Sequence, residues 1–69
     1  MKSSEPSLSP RERSIVQLLR MGLRNREIGD KLGLTEGTVK TYLNALYRKT
    51  GTRNRTELAF RAAGRAKRQ

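Results

Sequence analysis

Glycine divides this chain into helix-length segments, and that division leaves few folds open. Gly22, Gly33, Gly51 and Gly64 each follow a run whose apolar residues recur with helical period, and each run opens on a capping residue: Ser9, Asn25, Thr35 or Asn54. In "LSPRERSIVQLLRMG", Pro10 suits the first helical position, where its missing N–H costs nothing, and Glu12 follows Ser9 at capping-box spacing. Ile15, Val16, Leu18 and Leu19 form the buried stripe, flanked by Leu8 and Leu23. The first helix is placed at about 10–21. "NREIGDKLG" is a shorter second helix, capped by Asn25, favoured at its start by Glu27 and stopped by Gly33, with Ile28 and Leu32 on one face. Helix three runs from its cap Thr35 to Gly51, with Val39, Leu43 and Leu46 on one side and Arg48 and Lys49 in the last turn. Helix four opens on Asn54, with Glu57 again at capping-box spacing, carries Leu58, Ala59, Phe60, Ala62 and Ala63, and ends at Gly64. No strand alternation appears, so the fold class is all-α with four helices. Residues 1–7 read as a polar tail or linker remnant, 8–64 as the domain, and 65–69 as a basic tail that adds non-specific affinity or lacks order.

Charge then narrows the function. The 69 residues carry 16 Lys and Arg against 6 Asp and Glu, a formal net charge of +10, which points to a polyanion: nucleic acid or an anionic membrane surface. With 33% apolar residues the core is small and its stability marginal. The chain has no Cys and no His, which excludes disulfides and the usual zinc sites and removes the commonest general base. Glu5, Glu12, Glu27, Asp30, Glu36 and Glu57 are mostly accounted for as caps and helix-start charges, and no pair has acid/base spacing. The expectation is therefore no enzyme, no catalytic residue, no metal and no cofactor. No apolar run approaches ~18 residues and no signal-peptide pattern is present, so a cytoplasmic protein without a membrane partner is expected.

Helix three carries the most informative face. Opposite Val39, Leu43 and Leu46 lie Gly37, Lys40, Thr41, Asn44 and Arg48. A face selected only for solubility would hold Glu, Lys and Gln, which are better helix formers. Here it begins with a glycine and two threonines and has no acid at its centre, as a surface approached closely by a polyanion would. Two helices joined by a short turn containing Gly33 have helix-turn-helix geometry, with Gly29 permitting close packing and Val39 locking the second helix.

Three blocks in order, "LSPRER", "GLRNREIGDKLGLTEGTVKTYL" and "RKTGTRNRTELAFRA", resemble the LuxR/GerE-type helix-turn-helix domain over residues 8–62. The resemblance implies a DNA-binding module of bacterial transcriptional regulators, with helix three as the recognition helix in the major groove and helix four commonly dimerising. Carried over by position, it implies base contacts from Lys40, Thr41 and Asn44. It implies backbone contacts from Thr35, Gly37, Thr38, Arg48 and Lys49, and from Arg53, Asn54, Arg55 and Thr56 at the start of helix four. The dimerisation surface would be Leu58, Ala59, Ala62 and Ala63. The chemistry agrees: Lys40 can donate to guanine or phosphate, Asn44 suits adenine, and the Thr41 methyl can touch thymine. The sequence departs from the family pattern at Gly37 (frequently Lys, Arg or Ser), Tyr42 (His), Gly29 (Ala) and Thr50 (Leu).

The expected partners are double-stranded DNA with an inverted-repeat operator and a weakly associating second copy, with no small-molecule ligand inside this chain. Two alternatives stay open at this level: a sigma-factor-like promoter-binding region, and a basic helical interaction module that needs no DNA. Most of Arg11, Arg13, Arg20, Arg24, Arg26 and Lys31 read as a solvated face, with Arg24 and Arg26 near enough to the start of helix two to reach phosphates. Tyr42 and Tyr47 read as core-rim residues.

Overall fold

The computed structural model of the protein describes residues 8–67, with side chains as far as Arg61. Helix α1 spans Pro10–Arg20, α2 Asn25–Leu32, α3 Glu36–Thr50 and α4 Arg55–Lys67, and no strand occurs among the described residues. The all-α architecture expected from the glycine punctuation is the one observed.

Local chemistry explains each start. The Glu12 N–H donates to Ser9 Oγ at 3.1 Å, and the Ser9 N–H donates back to Glu12 Oε1 at 2.8 Å, closing the expected capping box. At α3 the Thr38 N–H donates to Thr35 Oγ1 at 3.1 Å. At α4 the Glu57 N–H donates to Asn54 Oδ1 at 2.9 Å, while the Glu57 carboxylate reaches one residue further back and accepts the Arg53 N–H at 2.8 Å.

Two boundaries differ from the expectation. Asn25 is the first residue of α2 and Arg24 is its cap. An Arg side chain has no acceptor to offer, so Glu27 supplies the cap by accepting the Arg24 N–H at 2.8 Å, and Asn25 is left to bond elsewhere. Helix α4 does not end at Gly64; it runs on to Lys67. A glycine costs a helix interior only about 1 kcal/mol relative to Ala, which does not force a stop. The basic stretch from Arg65 to Lys67 therefore continues the helix.

Ile15, Val16, Leu19, Ile28, Val39, Leu43, Leu46 and Leu58 are buried together, so every helix contributes to one core. Tyr42 and Tyr47 pack half-buried at its rim, as expected, and Leu18 is half-buried as well. α2 packs chiefly against α3, and α1 against α4. The α2–α3 turn is tight. Gly33 sits at φ +74°, and the Leu34 N–H donates to Gly29 O at 2.8 Å. A Cβ on Gly29 would overlap the Leu34 carbonyl oxygen, which explains glycine where the family pattern has alanine. The close approach at Gly29 is thus to the turn backbone. Thr50, where the pattern has Leu, satisfies its hydroxyl on Leu46 O at 2.7 Å and sits 2.9 Å from the Thr52 hydroxyl.

Candidate nucleic-acid interface

Val39, Leu43 and Leu46 fix the rotation of α3 by burial at 0%, 3% and 0% exposure, and that rotation turns the opposite side outward. Gly37, Thr38, Lys40, Thr41, Asn44 and Arg48 are all exposed. Sequence reasoning placed Gly37, Lys40, Thr41, Asn44 and Arg48 on one outward face, and the structure exposes all five there, with Thr38 exposed beside them.

The strip has built-in detail. The nearest heavy atom to a Cβ placed on Gly37 would be Thr35 Oγ1 at 4.0 Å, so nothing in the fold requires glycine at that position. The Thr41 hydroxyl donates to Gly37 O at 3.1 Å, which engages its proton within the helix and leaves the methyl as its outward group. The Thr35 hydroxyl donates to Thr38 Oγ1 at 3.0 Å while accepting the Thr38 N–H. This leaves the Thr38 hydroxyl proton as the outward donor of the pair. The first turn of α3 therefore offers a bare glycine, one hydroxyl and the positive end of the helix dipole.

Two residues expected at phosphates are bonded to other parts of the protein, Lys49 at the surface and Arg55 half-buried. Lys49 Nζ lies 2.8 Å from Glu12 Oε1, joining the end of α3 to the start of α1. The Lys49 ammonium, together with the Ser9 N–H, holds the Glu12 carboxyl below its ordinary value against the opposing effect of burial. Arg55 donates through Nη1 to Asn25 Oδ1 and through Nη2 to Leu23 O, both at 2.8 Å. Sequence reasoning missed both ties because their partners lie 37, 30 and 32 residues away. Glu12 carried a signal only for its local cap. Arg11 also departs from a merely solvated face, since it donates to Leu32 O, the last carbonyl of α2, at 3.2 Å.

At the start of α4, Arg53, Asn54 and Thr56 are exposed, as are Arg24 and Arg26 beside the α2 start. Asn54 has its amide oxygen committed to the cap, leaving its NH₂ to donate outward. On the expected dimer surface, Leu58 is 1% exposed and belongs to the core, and Ala59 packs half-buried against it. Leu58 therefore presents no surface to a second copy. Ala62 and Ala63 lie outside the described side chains. Phe60, read earlier with the apolar residues of helix four, is 77% exposed. Among the described residues no helix is long and apolar enough to cross a membrane.

Comparison with known proteins places this arrangement. Residues 6–62 match the family described as "Bacterial regulatory proteins, luxR family". YhjB of Escherichia coli strain K12, which carries the name of an HTH-type transcriptional regulator, is 47% identical over 54 residues, covering 78% of this chain and 27% of YhjB. The two-component response regulator PprB of Pseudomonas aeruginosa is 43% identical over 53 residues, covering 77% of this chain and 19% of PprB. The response regulator Rre1 of Synechocystis is 44% identical over 50 residues, covering 72% and 22%. The chain thus spans about a quarter or less of the length of these relatives. A four-helix fold, an outward acid-poor strip on α3, and a match across most of the chain agree: the protein belongs to the luxR family of bacterial regulatory proteins, as a helix-turn-helix domain of transcription regulation.

Proposed function

We propose that the domain binds double-stranded DNA with sequence preference by laying α3 in the major groove. Lys40, Thr41 and Asn44 face base edges, and Thr35, Gly37, Thr38 and Arg48 lie along one phosphate backbone. Arg53, Asn54 and Thr56 meet the backbone from the start of α4. The observation that carries this reading is Gly37: an exposed glycine in the first turn of α3 with no steric reason inside the fold. A duplex that comes within van der Waals reach of the helix backbone supplies the reason. Lys49, paired with Glu12, and Arg55, bonded to Asn25 and Leu23, are left out of the phosphate set.

Two copies bind an inverted repeat, half-sites about one helical turn apart, pairing through the side of α4 that exposes Phe60. The small apolar area keeps that pairing weak without DNA. The setting is the bacterial cytoplasm, and the role is binding, with no catalysis.

The test is selection of a preferred duplex from a random pool, followed by titration at several salt concentrations. Lys40→Ala and Asn44→Ala are each expected to cost roughly 1–3 kcal/mol at the selected site and to relax preference at one position. Parent-like binding by both variants would show that α3 is not the reader. Affinity should also fall steeply with salt, by a log–log slope of about −0.9 per phosphate neutralised. Salt-insensitive binding would favour the interaction-module alternative.

A further inference from the structure

Arg55 stands among basic residues whose position in the sequence assigns them to phosphates, yet its guanidinium faces inward. The fork donates to Asn25 Oδ1 and Leu23 O, each at 2.8 Å and partly buried. These acceptors flank Arg24, the cap of α2. Two donors fixed in one plane set both the distance and the orientation of what they hold, which a single flexible ammonium does not.

We propose that Arg55 is a positioning residue for DNA binding: it pins the start of α2 to the start of α4 and raises operator affinity without touching the duplex. The proposal rests on the duplex-binding reading above. At 8 residues, α2 is too short to hold its own orientation and takes it from its neighbours. At its C-terminal end it is coupled closely to α3, because the Gly29 carbonyl takes the Leu34 N–H across a turn with no room for a methyl group. α2 and α3 therefore turn as one piece. The exposed groups proposed for DNA sit on two parts of the molecule: the α3 strip on that piece, and Arg53, Asn54 and Thr56 at the start of α4. A duplex is stiff, so both sets engage it together only if the angle between the two parts is held. Buried Leu46 and Leu58 hold it at the core, where apolar contact is non-directional. The Arg55 fork holds it at the far end of α2 with directional bonds. Losing the fork lets the α2–α3 piece tilt, and the two contact sets fall out of register.

Arg55→Lys separates the possibilities because it keeps the charge and loses the fork. Binding to the selected duplex is measured across salt concentration, well below each variant's melting temperature, with circular dichroism reporting the folded fraction. The expected result is a roughly three- to tenfold loss of affinity for folded Arg55→Lys, the scale of a lost hydrogen-bonded tie, with the salt slope of the parent. Asn25→Ala, which removes one acceptor, should lose a similar factor, and the double variant little more than the larger single loss. This second variant also carries the test if Arg55→Lys fails to fold. Parent-like binding by Arg55→Lys, with Arg55→Gln shifting the slope by about 0.9, would make Arg55 a phosphate contact and overturn the proposal. Lower melting temperatures with parent affinity in the folded state would reduce the fork to stability alone and overturn it as well. Failure of the parent to prefer any duplex would instead strike the DNA-binding reading itself.

Discussion

At Gly37 the demands of folding and of the proposed binding oppose each other. It is the second residue of α3, exposed, with only Thr35 Oγ1, at 4.0 Å, near where a Cβ would sit. Replacing it by alanine removes backbone freedom from the unfolded chain and adds nothing that must be accommodated. Gly37→Ala is therefore expected to stabilise the domain by a few tenths to about 1 kcal/mol in a thermal or denaturant melt. The same variant should bind the selected duplex more weakly than the parent, because the added methyl stands between the helix backbone and its partner. A variant both more stable and equally tight would remove the case for close approach at this turn. Thr41 shows a related economy: with its hydroxyl bonded to Gly37 O, the proposed groove contact falls to its methyl.

Among the helices, the ends carry the specific chemistry and the junctions carry the charge. The Glu12–Lys49 pair joins the first turn of α1 to the last turn of α3, where a cation also complements the helix dipole. Glu12 has its carboxyl pKa lowered by folding, so its stabilisation is fully present above the ordinary unfolded value near ~4.3 and is lost as pH falls through the lowered folded value. Glu12→Gln should accordingly cost about 1–2 kcal/mol at neutral pH, since it removes a charge-assisted partner of both Lys49 and the Ser9 N–H. The parent's advantage over the variant should shrink as pH falls below about 4, as followed by denaturant melts at each pH. An advantage constant from neutral pH down to acid would mean the pair contributes packing only.

For the molecule as a whole, the fate of α4 separates the core from the surface. Leu58 and Phe60 are two residues apart and point into different environments, one 1% and the other 77% exposed. Leu58→Ala should cost about 2–5 kcal/mol, enough to unfold a marginal domain of this size at moderate temperature. Phe60→Ala should leave the melt nearly unchanged and weaken only the pairing of two copies on DNA. Sedimentation of the saturated protein–DNA complex measures the latter. Two copies per operator with undiminished cooperativity in Phe60→Ala would place the pairing surface elsewhere.

Most of the architecture was legible in the chain because it rests on short-range physics. Ser9 with Glu12, Thr35 before Glu36, and Gly33 and Gly51 after their helices all act within a few residues, and the apolar spacing of Val39, Leu43 and Leu46 fixed which side of α3 faces out. The outward strip of Lys40, Thr41 and Asn44 was legible for the same reason. Identical basic residues could not be sorted by spacing alone. Arg53 and Arg55 are two positions apart in one run, yet Arg53 is exposed and Arg55 is spent on Leu23 and Asn25; Arg48 and Lys49 are both exposed, yet Lys49 pairs with Glu12. Those partners lie 30 or more residues away, and only the packing of α4 and α3 against the first two helices brings them within hydrogen-bond reach. The sequence determined which face each helix hides and, α2 apart, where it begins, because caps and periodicity are local; tertiary structure alone decided which cations are tied within the fold, because pairing depends on distances that no single helix sets.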